Sequence, residues 1–535
     1  MSTAGVATPP VGLAGLTPVN GDAHTSPEVV VYESRGCVLV LGDDASVGEV
    51  AQRVAAHHTT VVFAPGADVR DWGPRVTAVG RRVTHLTGHL GAFQAGIQVG
   101  EEFTDVGAAS PNPGRYFDMV LDLCAKPLIA DEVLPYGYFT TGANEAVLSQ
   151  AIAAMRTLVG RFSKPRYFNY AAQLCAHGSS GLTGCTRCLN VCSANAITSV
   201  GSSIQVDPYL CQGCASCTLS CPTGALTFKA PERQTLGERL QAVLADGGQG
   251  VTLLVHASDL DAQTQATWAQ HNVVLFQVNP LPALGDELWL RALALGAIRL
   301  VLLDDGALHG KTRALLEERV SQVQTMLKAI GESPSKLAFV SLAALPGWLQ
   351  THAGSNQFRQ ATTPIAPLKS WDKFKRLAWV DGLRQMGGNL TTQPVMLPPG
   401  APVGTVRVDD SRCTMCFACV NLCPTRALSA RQGALQQLVF QESACVQCGL
   451  CVKVCPEQAV SLQARFAPAA MTQMTSVVLH QDEQFKCTSC GTPFINRRLL
   501  ESSLERIKDH PVLAQGGRQT LMTCPSCRQK EMLEM

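Results

Sequence analysis

The sequence predicts a chain of mixed class, α/β plus α+β. Three observations carry this. Blocks 28–135 and 250–355 alternate apolar strand-like runs with helix-like runs, and such alternation predicts parallel sheets. Blocks 136–235 and 406–465 repeat one cysteine spacing, the mark of an internal duplication. Two further C-x2-C pairs close the chain over 475–535. The expected fold is therefore two small α/β domains of Rossmann or flavodoxin type, two bacterial-type dicluster ferredoxin modules and a C-terminal zinc-ribbon-like unit.

Residues 1–27 contain no Lys or Arg and are rich in Pro, Gly and Thr. They read as a disordered tail rather than a targeting signal. In the first α/β block, "VVVYES", "CVLVLG" and "TTVVFAPG" read as strands, and 46–58 has helical periodicity. "RVTHLTGHLGAFQAGIQVG" continues in β, and 116–123 supplies a further buried strand. The turn "GDDASVG" lacks the G-x-G-x-x-G pattern and gives little support to a dinucleotide site. An amphipathic helix is expected over 143–162, leading into the first cysteine module at 136–235. In the second α/β block, "VTLLVHA", "NVVLFQVN", "RLVLLDD" and "LAFVSLA" read as parallel strands. The helices between them are "DAQTQATWAQH", "DELWLRALALGA" and "KTRALLEERVSQVQTMLKAI". Residues 356–405 read as a linker rich in Pro, Gly and Thr, with one helix near 371–384.

Composition narrows the class. The 535 residues are 46% hydrophobic and 16% charged, the latter below a globular average of roughly 25%, so the chain has ample material for several cores. A net charge of +1 gives no bias toward nucleic acid or acidic membranes. No apolar run reaches the about 20 residues of a membrane span; the nearest, 288–303, carries Arg291 and Arg299. A cytoplasmic location is expected. There, 22 cysteines argue for metal rather than disulfides. Only Cys37 and Cys124 stand outside the runs, and these read as small buried hydrophobes.

Three runs follow the full C-x2-C-x2-C-x3-C-P pattern: Cys211, Cys214, Cys217, Cys221; Cys413, Cys416, Cys419, Cys423; and Cys445, Cys448, Cys451, Cys455. Soft thiolates at this spacing wrap one corner of a [4Fe–4S] cubane, and the fourth ligates the other cluster of the pair. The crossed rule assigns Cys413, Cys416, Cys419 and Cys455 to one cluster, and Cys445, Cys448, Cys451 and Cys423 to its neighbour. In the first module it assigns Cys211, Cys214, Cys217 and Cys192 to a complete site. Cys185, Cys188 and Cys221 then need a fourth ligand. Cys175 is the expected one, although nine residues, "AHGSSGLTG", separate it from Cys185. A three-iron cluster, an iron with an open position, or ligation by His177 are the alternatives. Ser193 also departs from the proline that follows the other three runs.

Cys487, Cys490, Cys524 and Cys527 form two C-x2-C knuckles 33 residues apart, which suits one tetrahedral Zn2+; a further iron site is the alternative. No catalytic constellation emerges, with no G-x-S-x-G, Walker or H-E-x-x-H motif. His85 and His89 read as surface or internally bonded histidines. "KPRYFNY" (164–170) reads as packing beside the first cluster.

The stretches "GYFTTGAN", "GRFSKPRYFNY", "CAHGSSGLTGCTRCLNVCSANAI", "CVQCGLCVKVCPEQAV" and "FKCTSCGTPF" occur in that order. Through them the chain resembles the large bacterial multi-cluster ferredoxin-like proteins encoded beside molybdenum- or tungsten-dependent formate dehydrogenases. The long spacing before Cys185 is similar to the pattern of that family. The middle block is similar to the delta-subunit domain of methyl-viologen-reducing hydrogenases, but lacks its cysteines. The resemblance implies an electron link between a formate-oxidising enzyme, or a similar oxidoreductase, and another carrier. A non-catalytic electron carrier with four clusters is the first expectation. The alternatives are a redox subunit of a larger complex, with flavin in one α/β domain, or a maturation or scaffold factor for a neighbouring metalloenzyme.

Overall fold

The computed structural model describes residues 16–18, 28–67, 72–142, 144–246, 250–261, 268, 272–352, 375–387, 393–432, 435–511, 513 and 517–534. Of the opening 1–27 segment only 16–18 is described, and there Thr17–Pro18 pairs antiparallel with Gly160–Pro165. The helix read over 261–271 lies outside the described residues except at Asp261 and Trp268.

The N-terminal unit is built on five parallel strands. Across the sheet they run Tyr138–Thr140, Met119–Asp122, Cys37–Leu41, Thr59–Phe63, Val76–Val79. The apolar run Cys37–Leu41 is buried at every position, as a strand covered on both faces must be. Period two decides which face each residue serves. Val38 and Val40 meet Ala51 and Val54 of helix Gly48–Ala55 and Leu148, Ala151 and Met155 of helix Glu145–Arg156. Cys37, Leu39 and Leu41 meet Leu86, Phe93 and Ile97 on the other side. That second face is covered by an antiparallel sheet, His85–Thr87, Gln94–Val99 and Glu102–Asp105, not by a helix. Strand–helix–strand alternation is thus realised on one face only.

The helix expected over 143–162 ends at Arg156. Gly160 sits at φ 122°, a conformation that favours glycine, and opens strand Gly160–Pro165, which pairs with Val29–Ser34. Residues 138–165 therefore belong to the N-terminal unit, and Lys164 at their end reaches the first cysteine module.

In the middle block four parallel strands run, across the sheet, Val273–Gln277, Thr252–His256, Arg299–Asp304, Leu337–Ser341. Helices Arg233–Asp246, Asp286–Ala294 and Gly310–Ala329 cover one face. The core beneath them does not stop at the block. It takes in Ala215 and Leu219 from the first cysteine module, Phe466 from the last strand of the second and Met471 from the helix that follows it. It also takes in Trp379 and Leu383 of helix Lys375–Met386, inside the segment read as linker. Gly382 allows that helix to lie close: a Cβ there would be 2.8 Å from Leu290 Cβ.

Each cysteine module is a pair of short antiparallel ladders. In the first, Phe168–Tyr170 pairs with Leu226–Phe228 and Ile197–Val200 with Ser203–Val206. In the second, Gly404–Val408 pairs with Val460–Phe466 and Leu428–Arg431 with Gln436–Gln441; Ser476–Asp482 adds a strand beside the last. A C-terminal hairpin, Gln484–Lys486 with Pro493–Asn496, is followed by helices Arg497–Arg506, Arg518–Leu521 and Pro525–Glu534 among the described residues. Among the described residues no helix is long and apolar enough to cross a membrane.

Candidate metal centres

The cysteine loops share one backbone device. In the three regular runs a left-handed residue stands on each side of the second cysteine: Gly213 and Ala215, Met415 and Phe417, Gln447 and Gly449. Side chains at such φ cost roughly 1–2 kcal/mol each, so these loops are held in shape by their surroundings. The third residue after the last cysteine of every run is also left-handed: Asn195, Gly224, Arg426 and Gln458. That turn aims the next amide back at the thiol. Ala196 N donates to Cys192 Sγ and Ala459 N to Cys455 Sγ, both at 3.3 Å. Ser193 leaves this turn unchanged although it replaces proline.

The irregular run is closed differently. The insert between Cys175 and Cys185 is a hairpin, Gly178–Ser179 against Leu182–Thr183. Its turn residues Ser180 and Gly181 both have positive φ, 50° and 78°, the geometry of a two-residue type I′ turn. Cys185 N then bonds Ala176 O at 2.9 Å, which returns the chain beside Cys175.

The structure brings sixteen thiols into four groups. Burial first, then Cys221, Cys185 and Cys175, push the Cys188 thiol up to about 12. Burial, then Cys214, Cys211 and Cys192, raise Cys217 well above an ordinary thiol. Burial, then Cys413, Cys416 and Cys455, push Cys419 up to about 12. Burial, then Cys445, Cys448, Cys419 and Cys423, raise Cys451. The groups also lie within electrostatic reach of one another in order: Cys188 of Cys217, Cys185 of Cys448 and Cys419 of Cys451.

The donor sets and hollows fit iron–sulfur clusters. The Cys413 and Cys423 groups each line a hollow of their own. Ser193 Oγ and Thr414 Oγ1 are buried without a hydrogen-bond partner among the described residues, and each faces a thiol-lined hollow. Cluster sulfur would give such hydroxyls an acceptor, whereas an empty site leaves them at a cost. Cationic side chains lie against the same loops, where they would offset the charge of a buried anionic cluster. Lys164 Nζ donates to Cys211 O at 2.6 Å and Tyr209 O at 3.0 Å, between the rings of Tyr32 and Tyr136. Burial brings its pKa down to about 8. Lys375 Nζ donates to Thr218 O and Leu219 O at 2.9 and 2.8 Å. Arg376 donates to Cys445 O at 3.1 Å, and burial lowers it to about 10. Spacing arguments reached none of these roles. Only "KPRYFNY" was a local signal, because it places Lys164 beside aromatic residues.

Around Cys175, burial raises the thiol and the neighbouring Tyr170 hydroxyl opposes this. His177, the alternative ligand, has both ring nitrogens engaged, with Cys185 O at 2.9 Å and Ser199 Oγ at 2.7 Å. His89 stacks on Tyr209 at 4.2 Å and bonds Leu90 O; His85 is exposed and edge-on to Phe103. Cys37 and Cys124 lie outside every thiol group, and burial pushes them up to about 11 and about 12.

The last four thiols, Cys487, Cys490, Cys524 and Cys527, lie within 4.8 Å of one another. Burial alone would raise Cys487, but amides of Cys524, Cys490 and Ser489 reverse this and bring it to about 6. Cys524 N stands 3.2 Å from Cys487 Sγ. Four thiols in this arrangement fit one tetrahedral ion, zinc or iron.

Comparison with known proteins adds family evidence at these loops. A family profile for the 4Fe-4S dicluster domain matches 412–460, and a second of the same description matches 183–230 and 444–493. The chain therefore carries two 4Fe-4S dicluster domains, and Cys175 lies outside the matched stretch. Formate hydrogenlyase subunit 2 of Escherichia coli K12 is 40% identical over 58 residues, 11% of this chain and 26% of that protein. The same values hold for formate hydrogenlyase subunit 2 of Shigella flexneri. The chain thus spans about a quarter of the length of these relatives.

Proposed function

We propose that this protein is an electron-transfer iron–sulfur protein with four [4Fe–4S] clusters and one structural ion. It would relay electrons to or from a formate dehydrogenase or a similar oxidoreductase. The observation that supports this best is the set of four thiol groups, each ordered next to another. The ligands are Cys192, Cys211, Cys214 and Cys217; Cys175, Cys185, Cys188 and Cys221; Cys423, Cys445, Cys448 and Cys451; and Cys413, Cys416, Cys419 and Cys455. Cys487, Cys490, Cys524 and Cys527 hold the single ion, with zinc preferred.

When bound, each cluster supplies a one-electron carrier. The chain's part is to hold, bury and polarise it. Amides of Ala196 and Ala459 donate to ligand sulfurs; Ser193 and Thr414 stand ready to donate to cluster sulfur. Lys164, Lys375 and Arg376 offset negative charge from behind the loops. Such donors and cations favour the reduced, more negative state and so raise the potential.

The partner class rests on the resemblance to proteins encoded with formate dehydrogenases and on the similarity to formate hydrogenlyase subunit 2. A flavin is disfavoured at both sheet switch points, where an anionic cofactor would meet carboxylates already bonded to protein. Asp122 accepts from Cys124 N, Leu128 N and the Tyr138 hydroxyl. Asp304 accepts from Gly306 N and pairs with Arg313.

Anaerobic purification with elemental analysis tests the cofactor content. About 16 iron per chain is expected from four cubanes, plus one zinc. Pull-down from native cells tests the partner: recovery of a formate-oxidising enzyme is expected, and a partner with no redox centre would sink the relay reading.

A further inference from the structure

We infer that the contact between the two cysteine modules is a built electron crossing, positioned by Arg187, which joins the four centres into one line. This rests on the reading above and adds the path. The order is the Cys192 group, the Cys175 group, the Cys423 group and the Cys413 group. Its middle step is the one that ligand sharing within a dicluster module does not provide.

The contact has the features of a fixed junction. Arg187 lies between Cys185 and Cys188 in the first module. Its guanidinium donates to Val446 O at 3.1 Å, Gly400 O at 2.8 Å and Ala401 O at 3.2 Å. Val446 lies between Cys445 and Cys448, so one side chain ties a loop of one centre to a loop of the next. The same guanidinium reaches Cys185 Sγ at 3.8 Å. Lys453, on the helix that carries Cys451, donates to Thr183 O at 2.6 Å. Gly184 completes the approach: a Cβ there would fall 2.8 Å from Leu450 Cγ and 2.7 Å from Ala176 O. Cys185 and Cys448 line the same hollow, together with Arg187.

Electron tunnelling weakens steeply with distance, so the residues that set this approach set the inter-module rate. In the step one electron leaves a centre of one module and enters a centre of the other. No bond is made or broken and no proton has to move. Arg187 is thus a positioning residue, and Lys cannot replace it because one ammonium cannot span three carbonyls as a planar fork does.

The test uses the full-length chain, loaded anaerobically and reduced with dithionite, with spin coupling read by pulsed electron paramagnetic resonance. In the native protein, coupling is expected within each module and across the junction. Arg187→Ala and Gly184→Leu are each expected to keep about 16 iron and to lose the junction coupling while keeping both intra-module couplings. Should Arg187→Ala fail to load, Arg187→Lys carries the same expectation. Unchanged coupling in loaded variants, or no junction coupling in the native protein at full iron content, overturns the crossing. Native protein with fewer than four cubanes overturns the cofactor reading instead.

Discussion

Two residues carry the sharpest tests. Cys175 is the proposed ligand that breaks the usual spacing, and its thiol sits with Cys185 and Cys221. Cys175→Ala is expected to lose an intact cubane, with iron falling from about 16 toward about 12 per chain, or about 15 if a three-iron cluster survives. Four intact cubanes by iron analysis and Mössbauer spectroscopy would remove Cys175 from the site. Asp286 is the second. Burial would raise its carboxyl, but Arg319, Lys375 and Arg376 outweigh that and hold it below the usual range. Asp286→Asn breaks the buried pair with Arg319 and is expected to cost about 3–5 kcal/mol, read from the urea midpoint. A depressed folded pKa stabilises above the unfolded value and ceases to do so as pH falls through the folded one. The gap between native and Asp286→Asn stability should therefore be flat down to about pH 4 and shrink below it. The thiol runs were legible in the sequence because, Cys175 apart, their cysteines are spaced by two or three residues along the chain. The cations were not: Lys164 meets Cys211 O across 47 residues, Arg376 meets Cys445 O across 69 and Lys375 meets Thr218 O across 157.

Among the elements, the hairpin before Cys185 and the helix Lys375–Met386 do what local patterns did not state. The nine-residue insert reads as a Gly- and Ser-rich loop, yet it pairs, because Ser180 and Gly181 accept the two positive φ values of a tight turn. Gly181→Val is expected to destabilise this hairpin by roughly 1–2 kcal/mol, seen as faster hydrogen exchange at the Leu182 and Thr183 amides. In the helix, Gly382→Val would press on Leu290 and is expected to cost about 1–3 kcal/mol in a denaturant titration. Periodicity signalled a helix near this place but not its burial, since its neighbours come from 286–294 and from beyond the second module. The opposite error occurred at 143–162, where an apolar stretch continued past Arg156. Only the backbone at Gly160 separates helix from strand there.

At the scale of the whole molecule, the line of thiol groups is flanked by protein at both ends. The N-terminal unit meets the Cys192 group through Lys164 and through Gln212, which donates to Leu134 O at 2.7 Å. The C-terminal unit meets the Cys413 loop through Asn496 and Arg498, which donate to Met415 O and Asp410 O. If the last four cysteines hold a separate structural ion, Cys490→Ser should remove that ion and leave about 16 iron in place. Loss of iron alongside zinc in elemental analysis would make the terminal unit part of the cluster chain.

The core that joins the middle block to both modules includes Phe466 and Met471 as well as Ala215 and Leu219. A chain emerging from the ribosome therefore presents all eight thiols of the first module long before the scaffold behind them can close. Phe466 and Met471, which close that core from the other side, are made only after the last thiol of the second module.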